Sequence, residues 1–144
     1  MTPDQKQFFI DLGDDQLLGR CVYGEARGEG HRGMAAVASV VMNRFHDHTK
    51  RYGGTLKSVI LKPWQFSCFN ANDPNLDKLA DGLSGPKWRE ALTIARLAID
   101  GLLIDETEGS NLYHAADIRP PYWTAARGVF FRRQIGRHKF YQEV

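Results

Sequence analysis

The segment GHRGMAAVASVVMNRF, from about Gly30 to Phe45, constrains the fold more than any other stretch of the chain. It is apolar or small on nearly every side, unlike a surface helix, which keeps one polar face. A helix of this kind must be surrounded, so it is expected at the centre of the domain. Its alanines and glycines permit close approach by a neighbour. That neighbour is the segment before it. Asp14 and Asp15 are expected to cap a helix there, and Leu17, Leu18, Cys21 and Val22 follow at the spacing of one apolar stripe.

The two helices meet in YGEARGEG, Tyr23 to Gly30. Glu25 lies four residues after Cys21 and three after Val22, so it continues the apolar stripe toward the core. A carboxylate at a helix C-terminus opposes the helix dipole, and burial penalises its charge. Both effects raise its pKa, as a general acid requires. Glu29 is four residues further on. It is expected to open the next helix, where its charge suits the N-terminal dipole, or to stand as a second carboxylate tuning Glu25. Acid–base chemistry on one or two carboxyls suits glycoside cleavage.

Beyond Phe45 the pattern loosens. A short helical turn is expected over Leu56–Leu61, then a loop-rich stretch to Leu83. A further helix begins at Pro86, capped by Ser84 or Gly85, with Trp88, Ala91, Leu92, Ala95 and Ile99 as its stripe and Gly101 at its end. Then the period changes. Ser110–Ala115, Val129–Gln134 and His138–Gln142 read as short strands, the last two joined through Gly136. Helices first and a small sheet late define an α+β chain, and 144 residues suit one domain, 1–144.

The balance of charge excludes rather than identifies. A formal charge of +2 is a weak signal for a polyanionic partner, although arginines gather from Arg119 onward. A nucleic-acid-binding protein would use that end, with Phe130, Phe131 and Tyr141 as stacking groups. Cys21 and Cys68 form neither a disulfide framework nor a zinc spacing, and Cys21 reads as a buried thiol. His46 and His48, two apart on a helix, point about 200° apart and cannot share an ion. His31, His114 and His138 are scattered, and no HExxH pattern is present, so a zinc-dependent peptidoglycan amidase is a remote reading. No metal or cofactor is expected. The N-terminal residues show no basic and then apolar signal pattern, and no run spans a membrane. The chain is therefore expected to be made in the cytoplasm as a monomer and to act elsewhere only after release.

Aromatic and amide side chains could line a groove for sugars, which present apolar faces and hydroxyl edges. Trp64, Gln65, Phe66 and Ser67 lie in one loop, and Tyr113, His114 and Trp123 lie in and after the first strand. Any one of these rings could instead belong to the core.

Several separated blocks resemble one family. Glu25-Ala26-Arg27-Gly28-Glu29 followed by Asn43-Arg44, then Val59-Ile60, Pro63 and Gln65-Phe66-Ser67, then LYHAADIRPPYW and IGRHKFY, resemble the spore-cortex-lytic (SleB-type) cell wall hydrolases, in family order from about Leu17 to Tyr141. The resemblance implies a lysozyme-like domain that cleaves peptidoglycan glycan strands between N-acetylmuramic acid and N-acetylglucosamine, with Glu25 as the catalytic acid. It implies a lytic transglycosylase, or else a muramidase. The same resemblance, on a chain without a signal, implies a phage or prophage endolysin that reaches the wall through a holin.

Overall fold

A computed structural model describes residues 1–144. Helix α1 (Pro3–Asp11) opens the chain, which the sequence reading passed over. Its start is fixed by a reciprocal cap: the Thr2 hydroxyl accepts from the Gln5 N–H, and the Gln5 side chain accepts from the Thr2 N–H. Helix α2 (Asp14–Ala26) follows with Gly13, not an aspartate, at its cap position. Asp14 and Asp15 lie inside the first turn, where they still complement the dipole. Helix α3 (Gly30–Phe45) has the bounds expected of it. Short helices α4 (Leu56–Leu61) and α5 (Leu76–Leu79) flank a 3₁₀ turn at Ser67–Phe69. Helix α6 (Pro86–Ile99) starts behind Gly85 and ends at Asp100 and Gly101.

The reason α3 is apolar all round is that it serves two cores. Met34, Val37, Ala38 and Val41 join the main cluster with Leu17, Leu18, Cys21 and Val22 of α2 and Trp88, Ala91, Ile94 and Ala95 of α6. Ala36 and Val40 face the other way and meet Ile135 and Phe140 of the sheet. Each fully buried aliphatic side chain of this kind contributes about 1.5–3 kcal/mol. Ile99, expected in the α6 stripe, is instead exposed at the helix end, while Ile94 and Ala98 are buried. Close approach is built in at Gly24, where a Cβ would come within 2.8 Å of Cys68 Cβ and 2.9 Å of Leu79 Cδ1. Only glycine lets α2 lie that near the 3₁₀ turn. Both cysteines are free and buried.

Strands β1 (Leu112–Ala115), β2 (Val129–Ile135) and β3 (His138–Glu143) form an antiparallel sheet in the order β1-β3-β2. Tyr113 pairs with Phe140 and Ala115 with His138, so these residues share the face that meets α3. Tyr141 and Phe131 face away with His114. The end of α3 holds the sheet in place. Asn43 donates to the Asp105 carboxylate and to the Ser110 carbonyl, both at 2.9 Å. Buried Arg44 donates to the Asn111 carbonyl at 2.6 Å, its guanidinium lying over the Phe66 and Tyr52 rings. No helix is long and apolar enough to cross a membrane.

Candidate active site

Glu25 stands in the last turn of α2, where the helix, the 3₁₀ turn and β1 converge. Its Oε1 accepts from the Tyr113 hydroxyl at 2.9 Å. Its Oε2 lies 3.4 Å from the Ser67 hydroxyl, close enough for a long hydrogen bond. Burial raises its pKa, and the weaker pull of hydrogen bonds from Tyr113, Ser67 and Cys68 acts the other way. The site thus holds a carboxyl that keeps its proton readily while donors stand ready for the ionised form. Tyr113 is itself held un-ionised: burial and the neighbouring Glu25 push its pKa well up, so the phenol remains a donor.

Glu29 takes a different part. It occupies the cap position of α3, but its side chain makes no capping bond to that helix. The carboxylate crosses instead to the β2–β3 turn, accepting from the Arg137 backbone N–H at 2.8 Å and from Arg137 Nε at 2.9 Å. Its side chain is only 8% exposed. Burial raises its pKa, but the Arg137 hydrogen bonds together with the Arg137 and His138 charges outweigh that and hold it below the ordinary value. Glu25 and Glu29 therefore line one cleft in opposite protonation tendencies. That cleft, of about 230 Å³, is completed by Ala26, Gly28, Ala115, Asp117, Arg137 and His138.

The structure brings together Glu25, Glu29, Ser67 and Tyr113 from the expected set. It does not bring the rest of that set to the acid. His114 is buried, with Nε2 3.0 Å from the Tyr141 hydroxyl and Nδ1 2.8 Å from the Ala115 carbonyl, on the far face of the sheet. Trp123 packs there too, its ring 5.3 Å from Tyr141 and 5.7 Å from His114. Strand alternation explains His114, since adjacent Tyr113 and His114 cannot share a face, and Trp123 packs on the face that His114 takes. Phe66 is core, beneath Arg44. Gln65 accepts from Arg44 at 3.3 Å. Trp64 is 80% exposed and lines a separate apolar cleft with Leu61, Pro63 and Phe69. Asp117 and His138 were not singled out in the sequence as site residues. Their signal was positional: Ala115 and His138 are cross-strand partners on the Tyr113 face. No three His, Cys, Asp or Glu side chains gather as metal ligands.

Six helices beside a small three-stranded antiparallel sheet define an α+β fold, and the end of α2 places in it a carboxyl whose pKa is raised by burial. The chain belongs to the cell wall hydrolase family, whose sequence model matches residues 28–141. It is 33% identical over 129 residues to the spore cortex-lytic enzyme of Oceanobacillus iheyensis, covering 88% of this chain and 41% of that protein. Against the spore cortex-lytic enzyme of Bacillus subtilis the identity is 31% over 128 residues, covering 88% of this chain and 37% of that one. The chain thus spans less than half the length of these relatives. Among solved structures, the catalytic domain of the Bacillus cereus SleB protein superposes with a TM-score of 0.69 at 29% identity, covering 88% of each chain. The catalytic domain of the germination-specific lytic transglycosylase SleB from Bacillus anthracis gives 0.68 at 28% identity, covering 88% of this chain and 92% of that one.

Proposed function

We propose that this chain cleaves the glycan strands of peptidoglycan between N-acetylmuramic acid and N-acetylglucosamine, as a lytic transglycosylase with Glu25 as both acid and base. The observation that carries the reading is the contrast within one cleft. Glu25 has a raised pKa, whereas Glu29, the other carboxylate on the same chain segment, is engaged by Arg137. Family membership supports the substrate class.

Protonated Glu25 donates its proton to the glycosidic oxygen as the C1–O bond of the muramoyl residue breaks. The hydroxyls of Tyr113 and Ser67 are placed to stabilise the carboxylate this leaves. The acetamido group of the muramoyl residue stabilises the positive charge at C1. The ionised Glu25 then removes the proton of the same sugar's 6-hydroxyl, whose oxygen bonds to C1 and closes the anhydro ring. No water is consumed and Glu25 ends protonated, ready for another turn.

General acid catalysis contributes on the order of 10²–10⁴ in rate. Release of soluble fragments from purified sacculi by Glu25→Gln should therefore fall by at least about a hundredfold against the wild type. Undiminished release would refute the assignment. The biological setting we propose is lysis of a host cell from within. Expressing the chain in the bacterial cytoplasm with and without a holin tests it: lysis should require both.

A further inference from the structure

The cleft holds a second polar side chain that the mechanism above leaves idle. His138 opens β3 and points to the Tyr113 face of the sheet. Its ring stands edge-on to Tyr113, centroids 5.1 Å apart at 74°, and Tyr113 in turn bonds Glu25. The imidazole is thus one ring removed from the acid. Its Nδ1 is buried without a hydrogen-bond partner, and the polar atom it faces is Glu29 Oε1 at 3.5 Å.

Glu29 is placed with care. A Cβ at Gly33 would come within 2.3 Å of Glu29 Cβ, and one at Gly136 within 3.1 Å of Glu29 Oε1. Gly136 also needs its φ of +56° for the turn. Gly33 therefore leaves room for the stem of Glu29 and Gly136 for its carboxylate, and Arg137 keeps that carboxylate ionised. Beside a fixed carboxylate the lone pair of an imidazole nitrogen is repelled, so the proton resides on Nδ1. Burial pushes the His138 pKa down, and the opposing pull of Glu29 does not reverse that, so the ring is neutral near neutral pH. Nε2 is then an acceptor.

We infer that His138, oriented by Glu29, is a substrate-binding residue whose Nε2 accepts a hydrogen bond from a donor of the sugar at the scissile bond, either a hydroxyl or an acetamide N–H. This deepens the reading given above and rests on it. In a bound complex the 3.5 Å Glu29–His138 approach tightens, as contacts of this sort do when a ligand fixes the ring. The two side chains divide the work: Glu25 moves the proton, and His138 sets the sugar against it.

The test compares His138→Ala, His138→Asn and His138→Gln. Glutamine can place an acceptor oxygen near the Nε2 position, whereas asparagine reaches only the Nδ1 position. Steady-state kinetics on solubilised glycan strands are measured for each. So is affinity for a soluble N-acetylglucosamine–N-acetylmuramic acid tetrasaccharide, in the Glu25→Gln background. Alanine and asparagine should weaken binding and raise KM about tenfold or more, with glutamine within roughly threefold of the parent, since a lost hydrogen bond in a desolvated cleft has that effect. Wild-type KM and affinity in His138→Ala would overturn the inference. So would equal losses in all three variants accompanied by a lowered Tm, the mark of a purely structural ring. Failure of the wild type to cut, or cutting by Glu25→Gln, would instead overturn the proposed function and this inference with it.

Discussion

Replacing Tyr113 by Phe is the sharpest perturbation of the acid. It deletes one hydroxyl, 2.9 Å from Glu25 Oε1, and keeps the ring that packs on Phe140. The hydroxyl donates to the carboxylate, so it favours the ionised form and pulls the Glu25 pKa down against the larger effect of burial. A hydrogen bond to a charged group is worth about 1.5–3 kcal/mol, and the lower figure applies to a single phenol. At 1.36 kcal/mol per pH unit, its loss should move the alkaline limb of kcat/KM upward by about one unit. The limb falls where Glu25 loses its proton, and the variant holds that proton longer. The acid-side plateau should drop by about tenfold, because the carboxylate formed in the transition state loses a donor. The assay is the pH profile of kcat/KM on solubilised glycan strands, with near-ultraviolet circular dichroism to check packing. A limb that stays put, or moves to lower pH, would refute the reasoning.

Three further outcomes follow from the same geometry. Because the folded-state pKa of Glu25 lies above its ordinary 4.5, the native state gains from its proton at low pH and loses that gain as pH rises through the folded value. Glu25→Gln should therefore raise Tm above wild type at neutral pH, with the difference closing below pH 4.5; thermal melts across pH measure it. Glu29 has the opposite sign: its pKa is depressed, so its contribution is present above 4.5 and fades as pH falls through the folded value. Glu29→Gln should cost about 1 kcal/mol by urea denaturation at neutral pH, discounted because Arg137 is largely exposed, and little in acid. Gly24→Ala gains up to about 1 kcal/mol of helix propensity. Its Cβ must push Cys68 and Leu79 aside from 2.8 and 2.9 Å, an overpacking worth about 1–3 kcal/mol, so net destabilisation and reduced activity are expected from melts and fragment release.

The three long helices α2, α3 and α6 and the three strands were legible because their signals are local. The all-round apolar segment at Gly30–Phe45 announced a central helix, and the sheet then supplied the second core that explains it. Glu25 was legible for the same reason, as the next step of an apolar stripe. The rest of the site depends on contacts far apart in sequence. Glu29 reaches Arg137, and no local pattern distinguishes that from a helix cap. His114 and His138 were the harder pair. Tyr113 and His114 are adjacent, so one must turn away, and which one faces the acid is decided by the register Tyr113–Phe140 and Ala115–His138. That register needs the whole sheet. Helix α1 was missed although its cap, Thr2 with Gln5, stands in the sequence, because its apolar face is too sparse to form a stripe.

The central claim is that one carboxyl performs both proton transfers. Mass spectrometry of the soluble products from purified peptidoglycan, digested by wild type and by Glu25→Gln, tests it most directly. The account predicts 1,6-anhydromuramoyl ends from the wild type and none from the variant. Reducing muramoyl ends would contradict it, since water and not the sugar's own 6-hydroxyl would then have attacked C1. They would turn attention to Asp117 as a group that could position that water, because it lines the cleft without the Arg137 contact that holds Glu29.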